Sequence, residues 1–117
     1  MCMGAEDEIQ QLEDTLSTRY KASVHAYRSK STYLEISSRA ISKASAMALV
    51  VKQLYDLQPA DVMAFGDNYN DIEMLTAAGW GVAVENARPE VKAVSNEITS
   101  SNILDGVAET IDRYFNL

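Results

Sequence analysis

At 117 residues, 47% of them apolar, with a formal net charge of −7, the chain has material for one packed domain or two partial ones. The acidic balance argues against a general nucleic-acid or membrane-surface binder, because both use basic patches; its simplest reading is solubility. The single cysteine, Cys2, cannot form an internal disulfide and has no activating neighbour, which points to a reducing cytoplasm rather than to thiol chemistry. No apolar run approaches the roughly 18 residues of a membrane span, and the opening "MCMGAEDEIQ" has neither the basic nor the apolar part of a signal peptide.

Ile9, Leu12, Leu16 and Tyr20 recur at helical spacing among Glu and Gln, which predicts an amphipathic helix over about 6–19. "KASVHAYRS" and "TYLEIS" alternate and are separated by a short polar break, so they predict a hairpin. Met47, Val50, Val51, Leu54 and Leu57 restore the helical period over 42–57, with Pro59 as its stop. "DVMAFG" (61–66), "WGVAV" and "NEITS" read as strands. Between them, "NDIEMLTAAG" reads as a short helix capped by Gly79, and "NARPEVKAVS" as a helix with Asn86 as N-cap and Pro89 in its first turn. A long last helix is expected over "NILDGVAETIDRYF", with Ile103, Leu104, Val107, Ala108, Ile111, Tyr114 and Phe115 on its apolar stripe. The second part thus alternates helix and strand, the pattern of a parallel sheet with helices on its faces. The first part is helix plus hairpin, and the boundary falls near 37–41.

The densest chemistry lies in "FGDNYNDIEML", where Asp67, Asn68, Asn70 and Asp71 crowd the end of an apolar strand. Ligands of open α/β sheets bind at the carboxyl ends of strands. Gly66 leaves room there for close approach to the main chain. Carboxylates and amide oxygens are hard donors suited to Mg²⁺, which takes only one or two protein carboxylates and keeps several waters. The competing reading is that the aspartates cap a helix. Lys43 opens a helix, where the dipole disfavours a cation; it either faces an anion or is an exposed lysine beside a Ser42 cap. His25, the only histidine, is either a pocket residue or a surface strand position, and Trp80 and Tyr69 read as packing or rim residues.

"GDNYNDIEML" resembles the fourth motif, G-D-x-x-N-D, of haloacid-dehalogenase superfamily hydrolases, most closely those of the Cof-type sugar-phosphatase branch. "YLEISSRAISKASAM" is similar to that family's approach to its motif III lysine, and "GWGVAVENARPEVKAVSNEITSSNILDGVAETI" to the stretch after the fourth motif. The resemblance spans about 33–114. One departure is Ala44, where glycine often follows the family lysine.

The resemblance implies an α/β fold: the C-terminal half of a Rossmann-like parallel-sheet core over 38–117, preceded over 1–37 by a helix–hairpin remnant of an α+β cap. It implies that Asp67 binds Mg²⁺, that Asp71 supports the metal shell or pairs with Lys43, and that Lys43 and Asn70 contact a transferring phosphoryl group. His25, Tyr27 and Arg28 are the candidates for substrate contacts on the remaining cap surface. The family's D-x-D motif, source of the aspartate nucleophile and of the general acid–base, is not recognisable here: "EDE" and "LED" fall in the first helix. The expectation is therefore a cytoplasmic Mg²⁺-dependent phosphatase of small phosphorylated metabolites, of which this chain is a part inactive by itself. Without its neighbouring strand, the run 62–65 would be an open sheet edge prone to self-association. The alternative is a non-catalytic truncated module that binds a partner.

Overall fold

A computed structural model describes residues 1–116 and divides them into two compact units, 1–42 and 43 onward. The division falls five residues beyond the 37/38 boundary placed from sequence.

In the first unit, β1 (Cys2–Met3), β3 (Tyr33–Ser38) and β2 (Val24–Lys30) form an antiparallel sheet in that order, and α1 (Glu6–Arg19) packs on it. The helix and the hairpin follow the sequence periodicity. Glu8 reaches back to accept the Ala5 N–H at 3.2 Å, which satisfies one of the donors a helix start leaves free. Ile9 and Leu34 are buried. The strand β1 has only two residues, too few to carry an alternation signal, and is held by its pairing with Tyr33 and Leu34. Strand alternation separates the three residues grouped as substrate candidates. The Arg28 Nε sits 2.8 Å from Glu13 of α1, so Arg28 lies on the helix-covered face. His25 and Tyr27 lie on the other face, where the Tyr27 hydroxyl donates to Glu35 at 2.9 Å.

The second unit is built on a parallel sheet in the order β4 (Met63–Gly66), β5 (Trp80–Val84), β6 (Glu97–Thr99). Its helices are α2 (Lys43–Tyr55), α3 (Ile72–Ala77), α4 (Pro89–Val94) and α5 (Gly106–Phe115). Residues 81–84 of the central strand are all buried, as a strand covered on both faces requires. Ala64, Leu75, Ala83, Val84, Ala87 and Val91 form the core, with Met47, Ile72, Met74 and Ala78 packed around it. β4 is an edge of this three-stranded sheet.

Four local expectations need correction. Gly79 is not a left-handed cap, since no glycine has positive φ; α3 ends at an extended Ala78. Gly79 is required instead by crowding, because a Cβ there would lie 1.9 Å from the Ala60 carbonyl oxygen. The N-cap of α4 is Arg88 rather than Asn86; the Asn86 side chain instead accepts the Asn102 N–H at 3.0 Å. The helix α2 ends at Tyr55, ahead of a left-handed Asp56, and Pro59 opens a separate 3-10 turn (Pro59–Asp61). The last helix is also broken: a 3-10 turn (Asn102–Leu104) leads to a left-handed Asp105, and α5 starts only after it. Ile103 and Leu104 consequently leave the predicted stripe and stand 83% and 65% exposed.

Candidate active site at the carboxyl end of β4

The chain leaves β4 at Gly66 and turns through 67–71, a 3-10 turn (Tyr69–Asp71) that runs directly into α3. Asp71 is the centre of this turn. Its carboxylate is folded back against the strand end and is only 2% exposed. One oxygen, Oδ2, accepts the backbone N–H groups of Asp67 at 2.9 Å and Asn68 at 3.1 Å. The other, Oδ1, lies 2.5 Å from the Lys43 Nζ. The Asn68 side chain accepts the Tyr69 N–H at 2.9 Å and tightens the same turn. Gly66 makes the fold-back possible: a Cβ at that position would be 2.5 Å from Asp71 Cβ and 2.9 Å from its Cγ.

Lys43, the first residue of α2, is thus joined to a carboxylate 28 positions away in sequence. Lys43 faces an anion, the Asp71 carboxylate, and is at the same time exposed, so each of its two readings keeps a part. Burial pushes the Asp71 pKa upward, but the Lys43 ammonium and the two backbone N–H groups outweigh it and hold the carboxyl below its ordinary value. The Lys43 side chain remains 49% exposed, so one side of the ammonium faces solvent.

The other two predicted residues behave differently. Asp67 is exposed, and among the described residues its carboxylate has neither a hydrogen-bond donor nor a cation partner. Asn70 Oδ1 is buried without a hydrogen-bond partner. A buried unpaired acceptor costs about 1–3 kcal/mol unless something fills its lone pairs. The loop therefore separates two kinds of group. Asp71 is saturated by three donors and holds Lys43 and the turn in place; Asp67 and Asn70 retain free oxygens. Those oxygens fit a hard divalent cation. No three His, Cys, Asp or Glu side chains gather among the described residues, so magnesium here would draw its remaining ligands from water and ligand oxygens, as it commonly does.

The neighbouring loop, after β5, contributes Arg88. Its backbone N–H donates to the Asp67 carbonyl at 3.1 Å, and its guanidinium lies 5.5 Å from the centre of the Tyr69 ring. Sequence reading missed Arg88; the signal available was a basic residue in the loop after a parallel strand, where ligand sites gather. It also missed a polar clamp at the opposite, amino end of the strands. There Glu97 accepts from Trp80 Nε1 at 3.1 Å, from the Tyr114 hydroxyl at 2.9 Å and from Arg113. Burial alone would raise the Glu97 pKa, but these donors lower it, and the Glu97 carboxylate in turn raises that of Tyr114. The clamp joins β5, β6 and α5.

The stretches "EDE" and "LED" lie on α1, in the first unit, rather than at a strand end. His25 and Tyr27 also belong to that unit.

Comparison with known proteins agrees with this architecture. A 5-amino-6-(5-phospho-D-ribitylamino)uracil phosphatase of Bacillus subtilis is 45% identical over 83 residues, 71% of this chain and 33% of its own length. A phosphoglycolate phosphatase of Methanothermobacter thermautotrophicus is 35% identical over 81 residues, 69% of this chain and 36% of its own. The crystal structure of a haloacid dehalogenase-like hydrolase from Bacteroides thetaiotaomicron superposes with a TM-score of 0.80 at 34% identity, covering 97% of this chain and 42% of that one. The chain thus spans between a third and about two fifths of these relatives. The family profile of haloacid dehalogenase-like hydrolases matches residues 1–111, and with the strand-end loop, the lysine and the parallel sheet in place, the chain belongs to that family.

Proposed function

We propose that the chain forms part of a magnesium-dependent phosphatase of small phosphorylated metabolites, such as sugar phosphates, acting in the cytoplasm. The observation that carries this reading is the Lys43–Asp71 pair beside an unpartnered Asp67 carboxylate and a buried, unpartnered Asn70 oxygen. Its relatives' names support the reaction class, since the two quoted above are phosphatases of different small phosphoesters.

In this reading Asp67 ligates magnesium and Asn70 and Lys43 contact the phosphoryl group. Asp71 acts as a positioning residue: it fixes the Lys43 ammonium and closes the turn through Asp67 and Asn68. Magnesium, when bound, would supply positive charge that neutralises the phosphoryl oxygens and helps position the group for transfer. Preorganised donors matter most for such chemistry, because positioning and charge neutralisation carry phosphoryl transfer. The nucleophilic aspartate and its general acid–base partner come from residues outside this chain. Residues 1–37 are the last piece of a cap and 38–117 the second half of the core, and His25 and Tyr27, on the sheet face away from the Arg28–Glu13 pair, are candidate substrate contacts of that cap piece. Arg28, tied to Glu13, supports the cap from its helix side.

Turnover tests the reading. The chain alone, with an aryl phosphate and Mg²⁺, should show none. A longer protein carrying D-x-D ahead of residue 1 should be active and should lose activity on Lys43→Ala or Asp67→Ala. Activity of the chain alone that Asp67→Ala removes would overturn the placement of the nucleophile elsewhere. A longer protein indifferent to both substitutions would overturn the phosphatase reading.

A further inference from the structure

Two cations lie by the loop after β4, and they are in different states. Lys43 is committed to Asp71. Arg88 has no carboxylate partner among the described residues; its guanidinium stands over the Tyr69 ring, 5.5 Å from the ring centre, and its main chain is fastened to Asp67. A guanidinium drawn over an aromatic face is restrained before any ligand arrives, and the N–H groups it does not turn to the ring stay free to donate. Those groups present a planar fork suited to a carboxylate or a phosphate. Depth distinguishes this position from the phosphoryl site. Arg88 is exposed and Tyr69 is 40% exposed, whereas the next residue, Asn70, has its Oδ1 buried. Asn70 therefore belongs to the floor and Arg88 to the rim. Charge points the same way: Asp67 and Asp71 outweigh Lys43, and Arg88 cancels the excess negative charge that would otherwise repel an anionic ligand.

We propose that Arg88 is a specificity-determining residue that recognises a second anionic group on a ligand whose phosphoryl group occupies the Asp67–Asn70–Lys43 floor. The preferred ligand class is then an organophosphate that carries a further carboxylate or phosphate a few bonds away. This rests on the phosphatase reading for the phosphoryl position and adds to it a selection rule set by this chain's own rim.

Binding to the 117-residue chain tests it without turnover. The probes are 3-phosphoglycerate and glycerol 3-phosphate, which match in size and differ in carboxylate against hydroxymethyl. Each is titrated in Mg²⁺ while amide and Arg88 Nε–H NMR signals are followed. The wild-type chain should prefer 3-phosphoglycerate by roughly fivefold, the scale of one solvent-exposed charge pair, with the Arg88 Nε–H signal moving only for that probe. Arg88→Gln should remove the preference, weakening 3-phosphoglycerate more than glycerol 3-phosphate, which loses only the general charge effect. Arg88→Lys should keep part of it, since charge survives and the fork does not. Equal affinities in the wild-type chain, or a preference that survives Arg88→Gln, would overturn the proposal alone. Failure of both phosphates to bind would overturn it together with the phosphatase reading. Because the Arg88 side chain is exposed and its main chain makes the loop contact, the variants should retain the wild-type circular dichroism spectrum.

Discussion

Replacing Asp71 by alanine should destabilise the second unit by about 2–4 kcal/mol. The carboxylate satisfies the N–H groups of Asp67 and Asn68 in a part-buried turn, and an orphaned buried donor costs about 1–3 kcal/mol. The Lys43 pair adds less than about 1 kcal/mol, because that ammonium is half exposed and solvent screens it. Asp71→Asn keeps an oxygen for the two N–H groups but turns a donor toward Lys43, so it should cost about 1–2 kcal/mol. Lys43→Ala should cost about 1 kcal/mol or less. Urea unfolding followed by fluorescence of Trp80, the only tryptophan and a residue of the second unit, measures this order directly. The pH dependence has a definite sign. The Asp71 pKa is lowered from 3.8 by folding, so its contribution is complete above that value and fades as the pH falls through the folded-state pKa. The gap between wild type and Asp71→Asn should therefore be flat at neutral pH and close below pH 3.8. An Asp71→Ala variant within about 0.5 kcal/mol of wild type, or a gap that widens on acidification, would refute the assignment of Asp71 as the turn's anchor.

Gly66→Ala should displace Asp71, since the new Cβ would overlap its Cβ and Cγ; a loss of about 1–3 kcal/mol in the same unfolding assay is expected. Glu97→Ala should loosen α5 without touching the strand-end loop, seen as a changed Trp80 emission and faster amide exchange in α5, with binding at Asp67 intact. Leu75→Ala, at a fully buried core position, should cost about 2–5 kcal/mol. The open β4 edge, with Leu49, Val50, Leu54 and Tyr55 exposed on α2, should make the chain self-associate; light scattering after size exclusion should show dimers or larger species, and a clean monomer in dilute solution would refute this.

The alternation of α2, β4, α3, β5, α4 and β6 was legible because each element carries its own periodicity or a short apolar run between turn residues. The cluster at 67–71 was legible because four carboxylate or amide side chains in five positions exceed what a cap requires. What stayed hidden depends on long-range contact. The pairing of Lys43 with Asp71 links residues 28 apart, so sequence could offer it only as one of two options. Glu97 meets donors from positions 80, 113 and 114, none of which is marked locally. The left-handed Asp105 broke the last helix although Ile103 and Leu104 continue its apolar spacing. Strand β1 exists only by virtue of β3. Gly79 looked like a helix cap because caps are the commonest use of glycine after a helix; the Ala60 carbonyl that actually excludes a side chain lies 19 positions earlier.

The account depends most on Asp67 being the free carboxylate of a site built for magnesium and a phosphoryl group. Titrating the chain with Mg²⁺ and then inorganic phosphate, with amide NMR as the readout, tests that claim without requiring catalysis. Shifts confined to 66–71, Arg88 and the start of α2, with phosphate binding that requires magnesium and both responses lost in Asp67→Ala, are the predicted result. Magnesium shifts that persist in Asp67→Ala, or that fall elsewhere on the chain, would contradict it.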